Sequence, residues 1–203
     1  MAKEKAKEGA KPADFLKALG ALSSDELRNV KLCDWSAERP LLPFTAFGET
    51  FYRRPPSLND LKKARKYADG DKTGLKVYTI LFGVLDADGN QVMNLADKGK
   101  VLRAPDVIDG VYNDLLRPNA GDPVRKVYYR QRTVGQRGKI EAKAAGCPYA
   151  FQAWSFIELA LDADGNHLLS DADFDDLMKA DAEIITGFVL TAGMTWSAKD
   201  FLA

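Results

Sequence analysis

Histidine is almost missing from this chain: His167 is the only one among 203 residues. A lone imidazole leaves Ser–His or Cys–His nucleophilic catalysis with little to build on. Cysteine is nearly as scarce. Cys33 and Cys147 stand far apart, no Cys-x-x-Cys occurs, and one His with two distant Cys cannot make a zinc site. Two reduced thiols are the simplest reading. Net charge is absent too, with 29 basic residues against 29 acidic ones, so no global field steers the chain onto nucleic acid or membrane. No apolar run approaches the roughly 18–20 residues of a membrane span. No glycine-rich phosphate loop follows a predicted strand. Met1 to Lys11 alternates Lys, Glu and Ala without an apolar core, which reads as a solvated lead-in and no secretory signal.

What is present is a repeat. Asp-Ala-Asp-Gly-Asn occurs at 86–90 and again at 162–166, each time after a leucine. A shift of 76 positions, without a gap, also lays Tyr52 on Tyr128, Arg54 on Arg130, Gly70 on Gly146 and Asp97 on Asp173. Other pairs keep only their character, such as Tyr78 with Trp154 and Leu81 with Ile157. Two diverged copies of one unit are therefore expected. Each falls below roughly 100 residues, a size that buries only about 60–65% of its unfolded surface and leans on a neighbour. The expected division is a lead-in over 1–12, a first unit with an N-terminal helical extension over 13–118, and a second unit over 124–203. Asn119-Ala-Gly-Asp-Pro123, rich in turn formers, marks the boundary.

Within the units helix dominates. An amphipathic helix is expected from Ala13 to Gly20, and Ser23 with Glu26 has the spacing of a capping box. Pro40, Pro43 and Gly48 punctuate a loop, and Glu49 to Arg54 reads as a strand ended by Pro55-Pro56. Ser57 with Asp60 starts a helix carrying Leu58, Leu61, Ala64 and Ala68 at helical spacing. Leu75 to Leu85 is apolar enough for helix or strand; the helical look of its counterpart, Ala150 to Leu161, favours helix. Pro105 opens a helix with Val107, Ile108, Val111, Tyr112 and Leu115 on one face. The second unit replays the order: a strand at Val127–Arg130, a weaker helix from Thr133 to Ala145, a cap at Ser170 with Asp173, and a helix from Ala182 to Ala192. Ser197 with Asp200 starts a terminal turn. The expected class is mainly α with a small β component (α+β), as two tandem diverged helical repeats.

Asp-x-Asp-Gly-Asn first suggests calcium. An EF-hand loop needs oxygen ligands at positions 1, 3 and 5, glycine at 6 and a bidentate Glu at 12. Asp162, Asp164 and Asn166 fill the first three, but His167 stands at 6 and Asp173 at 12; the first copy has Gln91 and Asp97 there. A tight turn explains both copies better. Weak cation binding in a regulatory module is the minor alternative. The cluster Arg125, Lys126, Arg130, Arg132, Arg137 and Lys139, interleaved with Tyr128 and Tyr129, could stack bases. In a neutral chain, protein contacts or the protection of a strand edge are favoured.

The order within each unit resembles the tail assembly chaperones of long-tailed bacteriophages. It is carried by Val77–Leu116 and Ala153–Ala192, with Glu49–Arg54 as the preceding strand. The second copy fits best, in Leu161-Asp-Ala-Asp-Gly-Asn-His-Leu-Leu-Ser-Asp-Ala-Asp-Phe-Asp-Asp-Leu. The tandem arrangement departs from the family's usual single unit. The resemblance implies a non-enzymatic protein of the bacterial host cytoplasm that binds tape-measure and tail-tube proteins during assembly. It implies no cofactor, metal, nucleic acid or membrane, and it is compatible with a homo-oligomer. A structural tail or connector component retained in the particle is the alternative. Candidate contacts are aromatics expected to be exposed outside the repeat core, Trp35, Phe44, Phe47, Trp196 and Phe201, together with Tyr128, Tyr129 and Arg130. Sealing the two units together is the competing role for those aromatics.

Overall fold

The computed structural model describes residues 27–36, 39–116, 124–130 and 132–193. The expected lead-in, the helix from Ala13, the cap at Ser23, the boundary at 119–123, the terminal turn, Trp196 and Phe201 lie outside the described residues.

The two units repeat each other element by element. In the first, strand β3 (Glu49–Arg53) leads to helices α1 (Leu58–Ala68) and α2 (Lys72–Gly83). A 3-10 turn at Leu95–Asp97 then precedes α3 (Lys98–Leu102) and α4 (Pro105–Leu116). In the second, β4 (Val124–Tyr129) leads to α5 (Val134–Ala144) and α6 (Pro148–Leu159), then a 3-10 turn at Asp171–Asp173, α7 (Phe174–Lys179) and α8 (Ala182–Gly193). α1 and α5, α2 and α6, and the two 3-10 turns coincide at both ends under the shift of 76. Mainly helical units with a little antiparallel strand, in two similar copies, are thus what this sequence folds into.

Local chemistry explains the coincidence. Ser57 and Thr133 cap α1 and α5 through capping boxes closed by Asp60 and Gln136, which satisfies amide donors that a helix start otherwise leaves orphaned. Both helices end on a left-handed residue followed by a glycine of positive φ: Asp69 and Gly70, Ala145 and Gly146. The twin pentapeptides are twin turns. The Asp86 carboxylate accepts the amides of Asp88 and Asn90 at 3.0 and 2.8 Å, and Asp162 accepts those of Asp164 and Asn166 at 2.9 and 2.8 Å. These amides, those of Asn90 and Asn166 foremost, hold the Asp86 and Asp162 carboxyls below the usual carboxylate range. Gly89 and Gly165 supply the positive φ, and Leu85 and Leu161 pair antiparallel with Tyr52 and Tyr128.

The sheet pairing departs from the expected reading. Pro40 to Gly48 is more than a loop: β2 (Leu42–Ala46) forms a hairpin with β3, turning at Phe47-Gly48. Upstream, β1 (Arg28–Cys33) pairs antiparallel with β4, placing Arg28 opposite Tyr129 and Cys33 opposite Val124. Each repeat strand therefore has one antiparallel partner in the same register, since Phe44 faces Phe51 and Val30 faces Val127, 76 positions after Phe51. The chain enters through the second unit, crosses to build the first, and returns.

Each unit has its own core. Leu81, Val77, Leu115 and Val111 centre the first; Phe156, Phe188, Ile185 and Leu177 centre the second. α1 joins them. Its Ala64 and Ala68 belong to the first core, while Leu58, fully buried, and Leu61 belong to the second. Ala182 donates its amide to the Pro56 carbonyl at 2.9 Å, and Arg39 donates to the Pro55 carbonyl at 2.7 Å while pairing with Asp60 at 3.0 Å.

Candidate docking groove

The first unit is incompletely filled. Between the β2–β3 hairpin and helices α2, α3 and α4 runs an apolar groove of about 340 Å³. The hairpin supplies Phe44, Ala46 and Phe51, with Phe47 at the lip; Ile80 of α2 and Val84, just past its end, form the floor. The stretch after the turn adds Val92 and Met93, and the far wall is Val101, Ala104, Val107, Ile108 and Val111. Lys100 is the one charged residue lining it. Its ammonium pairs with Asp97 at 2.7 Å and stays solvated, so the rim is polar and the interior is not. That combination is the usual anatomy of a site that buries an apolar group.

The second unit lines the equivalent hollow, about 420 Å³, with larger and more polar side chains. Position for position, Ile80 becomes Phe156 and Val101 becomes Leu177, both buried. More decisively, Trp35, two residues past β1, lies against Phe156 with ring centroids 4.9 Å apart in an edge-on arrangement. It lines a hollow with Leu169, Asp176, Leu177 and Ala180, the counterparts of Met93, Lys100, Val101 and Ala104. Arg125 lies over the indole at 4.9 Å and pairs with Asp34 at 3.8 Å. Hydrogen bonds from Ser36, with Arg125 adding to them, hold the Asp34 carboxyl below its ordinary value and fix the chain that delivers the indole. Among the described residues the first unit has no such plug, because β2 passes straight into the tight Phe47-Gly48 turn and on to β3.

Phe47 is itself unusual. Its φ is +56 and that of Gly48 is +79, the doubly positive pair that a two-residue primed hairpin turn requires. Asn or Asp ordinarily takes the first place, and a bulky residue there is strained by roughly 1–2 kcal/mol. Phe47 is nevertheless 72% exposed at the mouth of the groove. Strain and an exposed ring at one position mark a place where local stability is sacrificed.

The expected contact residues do not converge on one site. Phe44 and Phe47 belong to the groove. The expectation that Trp35 is exposed is corrected: it is 7% exposed and plugs the second core. Tyr129 is buried also, edge-on to Phe188 at 6.1 Å. Tyr128 is half-buried under Lys126, and Arg130 lays its guanidinium over Gly165, as Arg54 does over Gly89. Several cations of the basic cluster serve local contacts: Arg125 on Trp35, Arg132 over Phe151 and Arg137 with Glu141 at 2.8 Å. The groove was missed because its walls read as core positions. The signal was there in the paired columns, where Ile80 stands for Phe156 and nothing stands for Trp35.

Among the described residues no three His, Cys, Asp or Glu side chains gather as a metal site, and no helix is long and apolar enough to cross a membrane. Compared with protein-family models, curated proteins and solved structures, the chain has no significant match in any of the three.

Proposed function

We propose that this protein is a non-enzymatic assembly factor that holds an apolar segment of a partner protein in the groove of its first unit. The single observation that carries the reading is the apolar groove itself, beside a sister unit whose equivalent hollow is lined by a buried tryptophan and rimmed by charged side chains. An aromatic or aliphatic anchor entering it would be desolvated on all sides, which is how a few residues come to dominate an interface. Together with the resemblance in Val77–Leu116 and Ala153–Ala192, this supports a tail assembly chaperone whose clients are tape-measure and tail-tube proteins. The second unit then serves as scaffold, since its own hollow is rimmed by Arg39, Asp173, Asp176 and Lys179 and is no apolar site.

Co-expression with tail-tube and tape-measure proteins of a long-tailed phage, followed by co-purification, tests the proposal. Ala46→Trp, which places an indole inside the groove, is expected to abolish capture. Val134→Asp, on the exposed start of α5, is expected to leave it unchanged. Equal capture by both variants would refute the groove as the client site, and finding the protein in purified particles would favour a retained structural component.

A further inference from the structure

The groove's sequence counterpart is written twice in this chain. Trp35-Ser36-Ala37, which begins with the tryptophan buried in the second unit, recurs as Trp196-Ser197-Ala198. The likeness runs on in register, with a charged pair at 38–39 and at 199–200 and a leucine at 41 and at 202. The charges have changed together with the site. In the second unit Arg39, paired with Asp60 at 3.0 Å, lines the hollow on whose rim Asp173 and Asp176 outnumber Lys179. In the first unit Lys100 stands where Asp176 does, and the C-terminal segment carries Asp200 where the plug carries Arg39. An indole four residues before a base suits an acidic rim; an indole four residues before an acid suits a basic one.

We infer that the groove of the first unit receives the C-terminal segment around Trp196 from a second copy of this chain. This rests on the reading of the groove as a docking site and adds its resident occupant. A second copy is preferred to the same chain because Trp196 cannot fold back to the point where the units join. The units join at the start of α8, where Ala182 meets Pro56. Gly193 lies eleven residues further along the helix, about 16 Å away. Trp196 is three residues beyond Gly193 and has about 10 Å of slack, too little to return to the junction. Client and C-terminal segment then compete for one groove, so that self-association covers the apolar surface until a client displaces it.

The test uses the full chain. Sedimentation equilibrium of the wild type is expected to show a mass rising above the monomer with concentration. Trp196→Ala should weaken that association by roughly thirtyfold, as removal of a central anchoring tryptophan does. Ala46→Trp and Met93→Trp, both checked for native circular dichroism, should weaken it as well. A fluorescent peptide of residues 194–203 should bind the Trp196→Ala chain and fail to bind the Ala46→Trp chain. Equal masses for wild type and Trp196→Ala, with no peptide binding, would overturn the inference. So would a wild type that stays monomeric yet excludes the peptide until Trp196 is removed, since the occupant would then be the chain's own. Client capture lost in Ala46→Trp with self-association indifferent to Trp196 would sink this inference alone. Capture retained in Ala46→Trp with self-association lost would sink the client reading alone.

Discussion

Trp35→Ala should turn the second unit into a likeness of the first, at a measurable cost. The indole is 7% exposed, and a tryptophan buries roughly 150–250 Å². At about 25 cal/mol per Å², with the methyl of alanine retained, the transfer term alone is roughly 3–5 kcal/mol. The edge-on contact with Phe156 adds about 0.5–1.5 kcal/mol. The Arg125 contact adds less, because that guanidinium is half exposed. Partial collapse of the hollow gives some of this back, so a net loss of about 3–5 kcal/mol is expected, the range of large aromatic deletions. Urea unfolding followed by far-ultraviolet circular dichroism reads it without relying on the deleted fluorophore. Amide exchange should accelerate in β1 and β4 together, because Trp35 holds the segment that follows β1. Phe47→Ala, removing a ring that is 72% exposed, is the control and should stay within about 0.5 kcal/mol. A loss below about 1 kcal/mol for Trp35→Ala would refute its role as a core plug.

Phe47→Asn should stabilise the chain by about 0.5–1 kcal/mol, since Asn tolerates the left-handed turn better; thermal melting would show this, and client capture should fall. Gly89→Ala and Gly165→Ala, at φ +82 and +85, should each cost about 1–2 kcal/mol. The second should cost more, because the new methyl would stand 2.6 Å from the Arg130 guanidinium, and the double variant with Arg130→Ala should recover the difference. Ser57→Ala should cost toward the upper end of the roughly 0.5–2 kcal/mol expected of a lost cap, because Ser57 is buried at the junction of the units. Thr133→Ala, at the exposed start of α5, should cost less. The Asp86 and Asp162 carboxyls titrate below their unfolded value, so their contribution is present above about pH 4 and is lost as pH falls through the folded value. Asp86→Asn with Asp162→Asn should therefore flatten the acid limb of a stability-against-pH curve and leave its neutral limb in shape.

Much of the helical skeleton was legible because its signals are local. Ser57 with Asp60 and Thr133 with Gln136 announce helix starts within four residues, and the pentapeptides fix the register between units without a gap. Leu75 to Leu85 was ambiguous alone and was resolved by its partner copy. The strands β1 and β2 were not legible. Arg28–Cys33 pairs with a segment 91 to 101 positions away, and no local pattern encodes a partner at that distance. Pro40 and Pro43 made Leu42–Ala46 look like loop, although Pro43 stands on an edge where a missing donor costs little. The groove was half legible: its aromatics Phe44 and Phe47 were singled out, but the empty space depends on what β1 carries into the other unit.

The route of β1 has a mechanical consequence. Because the first described strand is stitched to the last described one, covalent continuity between the units is redundant. A cut introduced anywhere from 117 to 123 would leave two fragments, the earlier of which still carries β1, Trp35 and the buried face of α1. Those parts are embedded in the later fragment, so the nicked protein should migrate as one species until denatured. The chain therefore behaves as a clasp, closed only when residues 124–129 have been synthesised and β1 has found them.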